Sequence, residues 1–267
     1  MKKLGEGAIS MAYINEESQR VTLVPKRLDY YRRIQALKTN LDLVCGRIKS
    51  VLIPFKSELI EPCSEFPHGA ISYSFVPGQM LNECVDRLSV EQKIKVGKKL
   101  AEFINELHSL KGEFSKQQEI KDHIKKLARG IAIISPHLTA IENQKIEEIA
   151  QRFPAFLESR DFSLTHGDLH IGNLVVDANY ELVGVIDFAN MGYYVPEMEF
   201  VSIMHVFLDE KILDTALKHY NKSISMKDVL YLRIVHRIRY FKHSLYWEEA
   251  MKLDEIKKFK ALLAEFS

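Results

Sequence analysis

The sequence predicts an α+β fold in two lobes, a small β-rich lobe over residues 1–77 and a larger helical lobe over residues 78–267. Strand-like segments concentrate in the first eighty residues, whereas helical periodicity dominates the rest of the chain. A short predicted hairpin near residues 174–186 interrupts the helices. Pro77-Gly78 ends an alternating apolar and polar strand, so we place the boundary between the lobes there.

In the β-rich lobe, residues 5–14 form a glycine-bearing turn between short strands. Residues 20–24 form a strand that Pro25 ends. Residues 28–44 carry apolar side chains at helical spacing and predict a helix. Residues 51–55 and 70–76 complete the set of predicted strands.

In the helical lobe, Ser89-Val-Glu-Gln92 is a capping box that opens a helix to about Leu110. Two more helices are predicted near 117–134 and 139–152, and at least three follow the hairpin. A helix over 230–247 carries four basic residues. A solvated helix face explains them better than nucleic-acid binding, because the whole chain is nearly neutral.

Size and composition bound the function. The 267 residues suffice for one large domain or two smaller ones, and a net charge of +1 does not indicate bulk nucleic-acid binding. The N-terminus lacks the apolar region of a signal peptide, and no apolar run has the length of a membrane span. Cys45, Cys63 and Cys84 are widely spaced and predict reduced, mostly buried thiols. We expect a cytoplasmic protein without nucleic-acid or membrane partners.

The most informative segment reads HGDLHIGN over residues 166–173 and is followed by the hairpin and by Asp187. Residues 174–176 and 182–186 are strand-like, and Asp and Asn residues between them favour a turn. In an antiparallel hairpin centred near residue 180, paired positions sum to about 360. Asn173 and Asp187 should therefore lie side by side, about 5 Å apart, at the open end of the hairpin.

This arrangement suits phosphoryl transfer. A hard cation prefers oxygen ligands, which Asn173 and Asp187 supply, and the glycines around Asp168 let that carboxylate face the same opening. Two other interpretations compete. An isolated Asp at a strand end is often only a cap, and His166, Asp168 and His170 could instead bind zinc in a metal-dependent hydrolase. The two glycines argue for a loop rather than the helix on which zinc-binding His pairs usually lie.

The HGDLHIGN segment with Val185-Ile-Asp187-Phe resembles the aminoglycoside phosphotransferase and choline kinase-like family of small-molecule kinases. Further similar segments are Gly5-Glu-Gly7 (the nucleotide loop), Tyr73–Gly78 (the hinge), Glu106-Leu-His108 and Pro196-x-x-Glu199. The resemblance covers most of the chain and implies a two-lobed protein-kinase-like fold.

The resemblance also implies roles for individual residues. Asp168 corresponds to the catalytic base, and Asn173 and Asp187 correspond to the Mg²⁺ ligands. ATP or GTP is the implied phosphate donor, and a hydroxyl of a small molecule (aminoglycoside-like, an amino alcohol or a sugar) is the implied acceptor. The nucleotide is expected between the lobes, and its contacts are expected to include Gly5, Gly7, Lys26, Phe75 and Val76.

The N-terminal lobe departs from the family pattern. The family places a Lys on the strand after the glycine loop and pairs it with a Glu on the next helix, but Leu23 stands at the Lys position and residues 28–44 contain no Glu. Lys26, just beyond the strand, either reaches phosphate or is an exposed lysine. An alternative function is therefore a degenerate kinase-like protein that binds a nucleotide or a partner without turnover.

The acceptor pocket is less well defined by the sequence. Glu197, Asp209 and Glu210 follow the predicted metal site and could form the acidic pocket that an aminoglycoside needs. Scattered surface acids are the slightly favoured interpretation. Because Asp168, Asn173 and Asp187 are all present, we expect an enzyme.

Overall fold

The computed structural model describes residues 1–7, 9–205, 209–241 and 249–265. The strands are β1 (Lys2–Glu6), β2 (Ser10–Asn15), β3 (Arg20–Pro25), β4 (Glu58–Ile60), β5 (Ala70–Ser74), β6 (Gln79–Met80), β7 (Ser163–Thr165), β8 (Leu174–Val176), β9 (Leu182–Val185) and β10 (Gly192–Tyr194). The helices are α1 (Tyr31–Val44), α2 (Val90–Ser109), α3 (Lys116–Ile134), α4 (Ala140–Glu158), α5 (Glu197–His205), α6 (Glu210–His219), α7 (Met226–Tyr240) and α8 (Glu249–Glu265). The predicted α+β fold, with strands first and helices after them, is confirmed.

The first five strands form one antiparallel sheet in the order β1-β2-β3-β5-β4. Val21 lies opposite Ile14 on one side and Tyr73 on the other, and all three side chains are buried. Helix α1 buries Ile34, Leu37, Leu41 and Val44, which recur at the spacing of one helix face, and it packs against β5.

One strand prediction in this lobe is wrong. Residues 51–55 form no strand, and Leu52 makes only an isolated bridge to Gly184. Pro54 lacks the backbone N–H that a continuing ladder needs. The strand that pairs with β5 is β4, which the sequence analysis did not identify because Glu58–Ile60 is only three residues long.

The chain then passes from the first sheet to the predicted hairpin. Strand β6 pairs with β8, which pairs with β9. Gly78 allows this connection, because its φ of +139° suits glycine and a Cβ there would come within 2.5 Å of the Val176 carbonyl oxygen. The predicted hinge segment therefore packs directly beside the hairpin.

The helices agree with their sequence signals. Ser89 and Gln92 form the predicted capping box of α2. Helix α4 is longer than predicted and continues to Glu158 with Pro154 inside it. Helix α7 ends at Tyr240, and the rest of the predicted 230–247 helix lies largely outside the described residues. Its basic residues are not all solvated: the Arg237 side chain is 12% exposed and pairs with Glu255 of α8.

The contacts divide the chain into two compact units. The first comprises residues 1–110, 164–192 and 202–222 and contains the five-stranded sheet and the hairpin. The second comprises residues 111–163, 193–201 and 223–267 and is mainly helical. The lobe boundary at residue 77 stays a prediction.

Two expectations from composition have structural outcomes. Cys84 is buried, but Cys45 and Cys63 are exposed, so the expectation of mostly buried thiols is wrong. Both exposed cysteines lie outside regular secondary structure, where the periodicity of the sequence carries no information about burial. Within the part of the chain that the structure describes, no helix is both long and apolar enough to cross a membrane.

Candidate active site

The hairpin β8–β9 determines where Asn173 and Asp187 lie. Its paired residues Leu174 and Val185 sum to 359, and a register shift follows Val175. The Ile186 N–H donates to the Asn173 carbonyl oxygen at 3.0 Å, so Asn173 lies opposite Ile186 rather than Asp187. The predicted register was wrong by one residue, because the hairpin is centred near residue 179 rather than 180: Val176 and Leu182, the pair nearest the turn, sum to 358, and the bulge after Val175 raises the sum to 359 toward the open end. Asn173 and Asp187 both lie at the open end of the hairpin, one residue out of register with each other.

Asp187 adopts a left-handed backbone conformation, with φ 64° and ψ 65°. This conformation costs energy for a residue with a Cβ, and Asp is among the residues that tolerate it best. Asp187 follows β9 and Ile186, and it opens a short helical turn over Phe188–Asn190, whose Ala189 N–H lies 3.4 Å from Asp187 Oδ1. Because Asp187 does not have the extended backbone of a strand, the alternation of side chains between the two faces of the sheet does not determine the direction of its carboxylate.

Asp168 lies in the tight loop between β7 and β8, and its side chain is 40% exposed. Gly167 before it has φ +76°, and a Cβ there would lie 2.4 Å from the Asn190 carbonyl oxygen. Only glycine therefore fits without displacement at this position. The Asp168 carboxylate accepts a hydrogen bond from Asn190 Nδ2 at 3.0 Å.

The Asn173 side chain is held in one orientation. Its Nδ2 donates to the Asp168 carbonyl oxygen at 2.9 Å, and since a carbonyl can only accept, the atom there must be nitrogen. The Oδ1 atom of Asn173 is thus the atom available as a ligand. Asn173 is buried and Asp187 is exposed.

These two residues fit a Mg²⁺ ion. Both carry hard oxygen donors, which Mg²⁺ prefers, and Mg²⁺ usually takes one or two protein ligands together with phosphate oxygens and water. Because the Asn173 amide is fixed, its Oδ1 atom is the one that can bind the metal, and the Asp187 carboxylate is accessible to solvent. The arrangement agrees with a site that is completed by a nucleotide.

The two histidines of the loop have organising roles. His166 is fully buried, its Nε2 lies 3.0 Å from the Ile186 carbonyl oxygen, and its ring meets that of Phe188 edge-on. His170 Nδ1 accepts the Gly172 N–H at 3.1 Å. Among the described residues, no three His, Cys, Asp or Glu side chains come together as a metal site.

The predicted glycine loop is the connection between β1 and β2. Gly5 lies in β1, and the Gly7 N–H donates to the Ser10 carbonyl oxygen at 2.9 Å. Lys26 follows β3, and its Nζ lies 2.6 Å from Glu6 Oε1. The Lys26 ammonium, together with that of Lys3, lowers the pKa of Glu6 to about 2. Lys26 is therefore near the loop but paired with its carboxylate.

The hinge segment lies between the first sheet and the hairpin. The Phe75 N–H donates to the Gln19 carbonyl oxygen at 2.8 Å. Val76 is buried, and a Cβ on Gly184 of β9 would lie 2.3 Å from its Cγ1. Val76 thus packs against the hairpin that follows Asn173, whereas Phe75 is bound to the turn between β2 and β3.

Tyr73 of β5 is close enough to Asp187 to be affected by its charge. Burial and the nearby charge of Asp187 raise the pKa of Tyr73 well above its usual range. Leu23 of β3 pairs with Ala12 and Ile71, and its correspondence to the Lys position of the family pattern stays a prediction.

The end of α2 is tied to the chain before β4. Glu106 accepts hydrogen bonds from the Lys49 N–H, the Ser50 N–H and the Ser50 hydroxyl, at 2.8–2.9 Å. Burial alone would raise the pKa of Glu106, but the hydrogen bonds from Ser50 and Lys49 lower it. His108 contacts the Tyr220 hydroxyl at 2.7 Å. These residues of the similar Glu-Leu-His segment are structural.

Two of the acids that could have formed an acidic pocket are engaged within the protein. Asp209 pairs with Lys93 at 2.6 Å and caps α6 by accepting the Lys211 N–H. Glu197 is only 5% exposed, so it is not a surface acid, and one of its oxygens lies 4.0 Å from Arg160. These contacts do not favour an aminoglycoside pocket built from Glu197 and Asp209. Glu199 is fully buried.

Sequence reasoning missed two residues of this site, Asn190 and Arg33. Asn190 contacts the Asp168 carboxylate, and Arg33 of α1 donates to Asn190 Oδ1 at 2.7 Å. Asn40, also on α1, donates to the Phe188 carbonyl oxygen at 2.7 Å. The separation of 157 residues between Arg33 and Asn190 gave no local signal.

The chain is similar to known proteins in sequence profile and in fold. A profile described as the phosphotransferase enzyme family matches residues 4–229, which is most of the chain. No curated protein matched the sequence.

Several solved structures share the fold. The ADP-bound aminoglycoside phosphotransferase APH(2'')-Ib has a TM-score of 0.74 and 20% identity, over 99% of this chain and 93% of its own. The GDP complex of aminoglycoside 2'-phosphotransferase-IIIa has a TM-score of 0.75 and 20% identity, over 99% of this chain and 91% of its own. The macrolide 2'-phosphotransferase MphH of Brachybacterium faecium has a TM-score of 0.64 and 15% identity, over 98% of this chain and 90% of its own. These similarities establish the protein-kinase-like fold.

Proposed function

The chain belongs to the phosphotransferase enzyme family, and we propose that it transfers the γ-phosphate of ATP or GTP to a hydroxyl of a small molecule. The proposal is supported by the hydrogen bond of Asn173 to the Asp168 backbone and by the position of Asp187 next to Ile186, which pairs with Asn173 at the open end of the β8–β9 hairpin. A carboxylate next to two oxygen ligands is what phosphoryl transfer to an alcohol requires.

Asp168 is the proposed catalytic base. Its half-exposed carboxylate would accept a hydrogen bond from the acceptor hydroxyl and so orient the attacking oxygen. The new bond joins that oxygen to the γ-phosphorus, and the bond between the γ-phosphorus and the bridging oxygen of the nucleoside diphosphate breaks. The hydroxyl proton passes to Asp168. Because the transition state is loose, this positioning contributes more than the basicity of Asp168.

Asn173 and Asp187 are the proposed Mg²⁺ ligands, through Asn173 Oδ1 and the Asp187 carboxylate. When bound there, Mg²⁺ neutralises negative charge on the phosphate oxygens. The protein's own contribution is to fix the two ligands, Asn173 by its hydrogen bond to the Asp168 backbone and Asp187 by its left-handed conformation. The base and the ligands are therefore coupled through one loop.

Residues 1–77 are proposed as the nucleotide-binding lobe. Gly5 and Gly7 would cover the phosphates with the β1–β2 connection, and Phe75 and Val76 would line the base. Lys26 would contact phosphate by exchanging Glu6 for the nucleotide, a movement that its partly exposed side chain permits. Solved structures of this fold with ADP and with GDP support a nucleoside triphosphate as donor.

The acceptor is proposed as a small hydroxyl compound of the aminoglycoside-like, amino alcohol or sugar class. Neighbours in fold include phosphotransferases of aminoglycosides and of a macrolide. The ion pairs of Asp209 and Glu197 disfavour a strongly cationic acceptor held by those acids. The test is a coupled nucleotide-consumption screen of amino alcohols, sugars, nucleosides, aminoglycosides and macrolides, with Asp168→Asn as the blank. Consumption that is equal in both proteins for every acceptor would refute the proposal.

The second candidate is a binding protein without turnover. Leu23 in place of the strand Lys and the Lys26–Glu6 pair favour weak nucleotide binding. Thermal-shift titrations with ATP, GTP and Mg²⁺ separate the two candidates when combined with the screen. Binding without consumption of nucleotide for any acceptor supports the second candidate.

A further inference from the structure

The Asn190 side chain connects the proposed base to helix α1. Its Nδ2 donates to Asp168 Oδ2 at 3.0 Å, and its Oδ1 accepts from Arg33 Nη2 at 2.7 Å. A guanidinium can only donate and an ionised carboxylate can only accept, so these partners together fix the orientation of the amide. Reversing the amide would break both hydrogen bonds.

The backbone of Asn190 is equally constrained. Its carbonyl oxygen lies so close to Gly167 that a Cβ on Gly167 would be 2.4 Å away. The turn that contains Asn190 begins with the buried Phe188, whose carbonyl oxygen accepts from Asn40 of α1 at 2.7 Å. Helix α1 therefore holds the turn at two points, through Asn40 and through Arg33.

The Asp168 carboxylate needs such support. Its side chain is 40% exposed, so solvent alone would leave it free to rotate about its bonds. Asn190 holds Oδ2, and His170 Nε2 lies 3.9 Å from Oδ1. A hydroxyl must meet the carboxylate with its oxygen aligned toward phosphorus, and small misplacements reduce rate strongly.

We propose that Asn190 is a positioning residue that orients the Asp168 carboxylate, and that Arg33 on α1 supports it. The inference rests on the proposed function, because it assigns a role relative to the base. It also gives α1 a connection to the site through Arg33 and Asn40, in a chain where Leu23 cannot make the strand-to-helix ion pair of the family pattern.

The informative substitution is Asn190→Asp. It keeps an oxygen that can accept from Arg33, removes the N–H that holds Asp168, and places a second carboxylate beside the first. If Asn190 orients Asp168, kcat falls by about 10- to 100-fold while KM for the nucleotide stays within about twofold. If Asn190 only fastens the turn to α1, Asn190→Asp retains the wild-type kcat, which would overturn the inference.

A double-mutant cycle tests the role of Arg33. Arg33→Met should lower kcat in the wild-type background and have no further effect in Asn190→Ala, because its effect passes through Asn190. Arg32→Met, at the exposed neighbouring position, is the matched control and should keep kcat. Equal effects of Arg33→Met in both backgrounds would contradict the proposed connection.

A readout without turnover separates failure of this inference from failure of the proposed function. In protein labelled with [¹⁵N]asparagine, the side-chain amide signal that disappears in Asn190→Ala belongs to Asn190. That signal should shift in both Asp168→Asn and Arg33→Met and stay in place in Arg32→Met. A signal that neither variant shifts overturns the inference, even if the enzyme is active. If the variants show these shifts but the wild-type protein consumes no nucleotide with any acceptor, the proposed function is contradicted. The catalytic role of Asn190 is then contradicted too, and only its hydrogen bonds to Asp168 and Arg33 are supported.

Discussion

Gly167 offers the sharpest test of how the loop before Asp168 is built. Replacing it by Ala forces a residue with a Cβ into φ +76°, which costs about 1–2 kcal/mol. The added Cβ would also lie 2.4 Å from the Asn190 carbonyl oxygen, and relieving such an overpacked contact typically costs about 1–3 kcal/mol. Gly167→Ala should therefore lower the free energy of unfolding by about 2–5 kcal/mol.

Urea denaturation followed by circular dichroism measures this change. Gly192→Ala is the matched control, because a Cβ there meets nothing within 4 Å and its φ lies outside the left-handed region. The control should change stability by no more than about 0.5 kcal/mol. If Gly167→Ala were as stable as Gly192→Ala, the close approach of the Asn190 backbone to the loop would be refuted.

Three further outcomes are expected. Asp187→Ala should abolish the Mg²⁺-dependent part of the thermal shift with nucleotide, and an unchanged shift would contradict its role as a ligand. Lys26→Met should raise the nucleotide Kd by about tenfold, or about 1.4 kcal/mol, if Lys26 reaches phosphate, and calorimetry showing an unchanged Kd would leave it as a partner of Glu6 alone. Burial first, and the charge of Arg239 next, lower the pKa of His123 to about 3. Below about pH 6.5 the unfolded state therefore binds a proton at His123 that the folded state does not bind. The free energy of unfolding should decrease as the pH falls from about 6.5 toward 3. Between pH 7 and pH 5 the expected loss of unfolding free energy is about 2 kcal/mol. A His123→Gln variant that loses as much stability as wild type over the same pH change would contradict this role of His123.

Most of the fold and part of the site were predictable because their signals are local. The capping box at Ser89 and the apolar face of α1 were confirmed, since each depends on spacing within one element. The hairpin was correctly located between residues 174 and 186. Its register was missed by one residue, since the residue types of the turn do not determine whether the hairpin is centred on residue 179 or 180, and the irregularity after Val175 changes the pairing by one further residue.

The parts that sequence reasoning missed depend on contacts between distant residues. Asn190 joins Asp168 only because Asp187 adopts a left-handed conformation and starts a turn there. Arg33 contributes only because α1 packs beside that turn. The strand expected over 51–55 failed because an apolar run that contains Pro54 can bridge a single residue without forming a ladder.

The most direct test of the central claim is the initial rate of phosphate transfer by Asp168→Asn relative to wild type, measured with an acceptor identified by the screen. Nucleotide affinity is measured on the same preparations. The assignment of Asp168 as the base predicts a loss of at least about 10³-fold in kcat with the nucleotide Kd within about threefold. Wild-type turnover by Asp168→Asn would contradict the assignment.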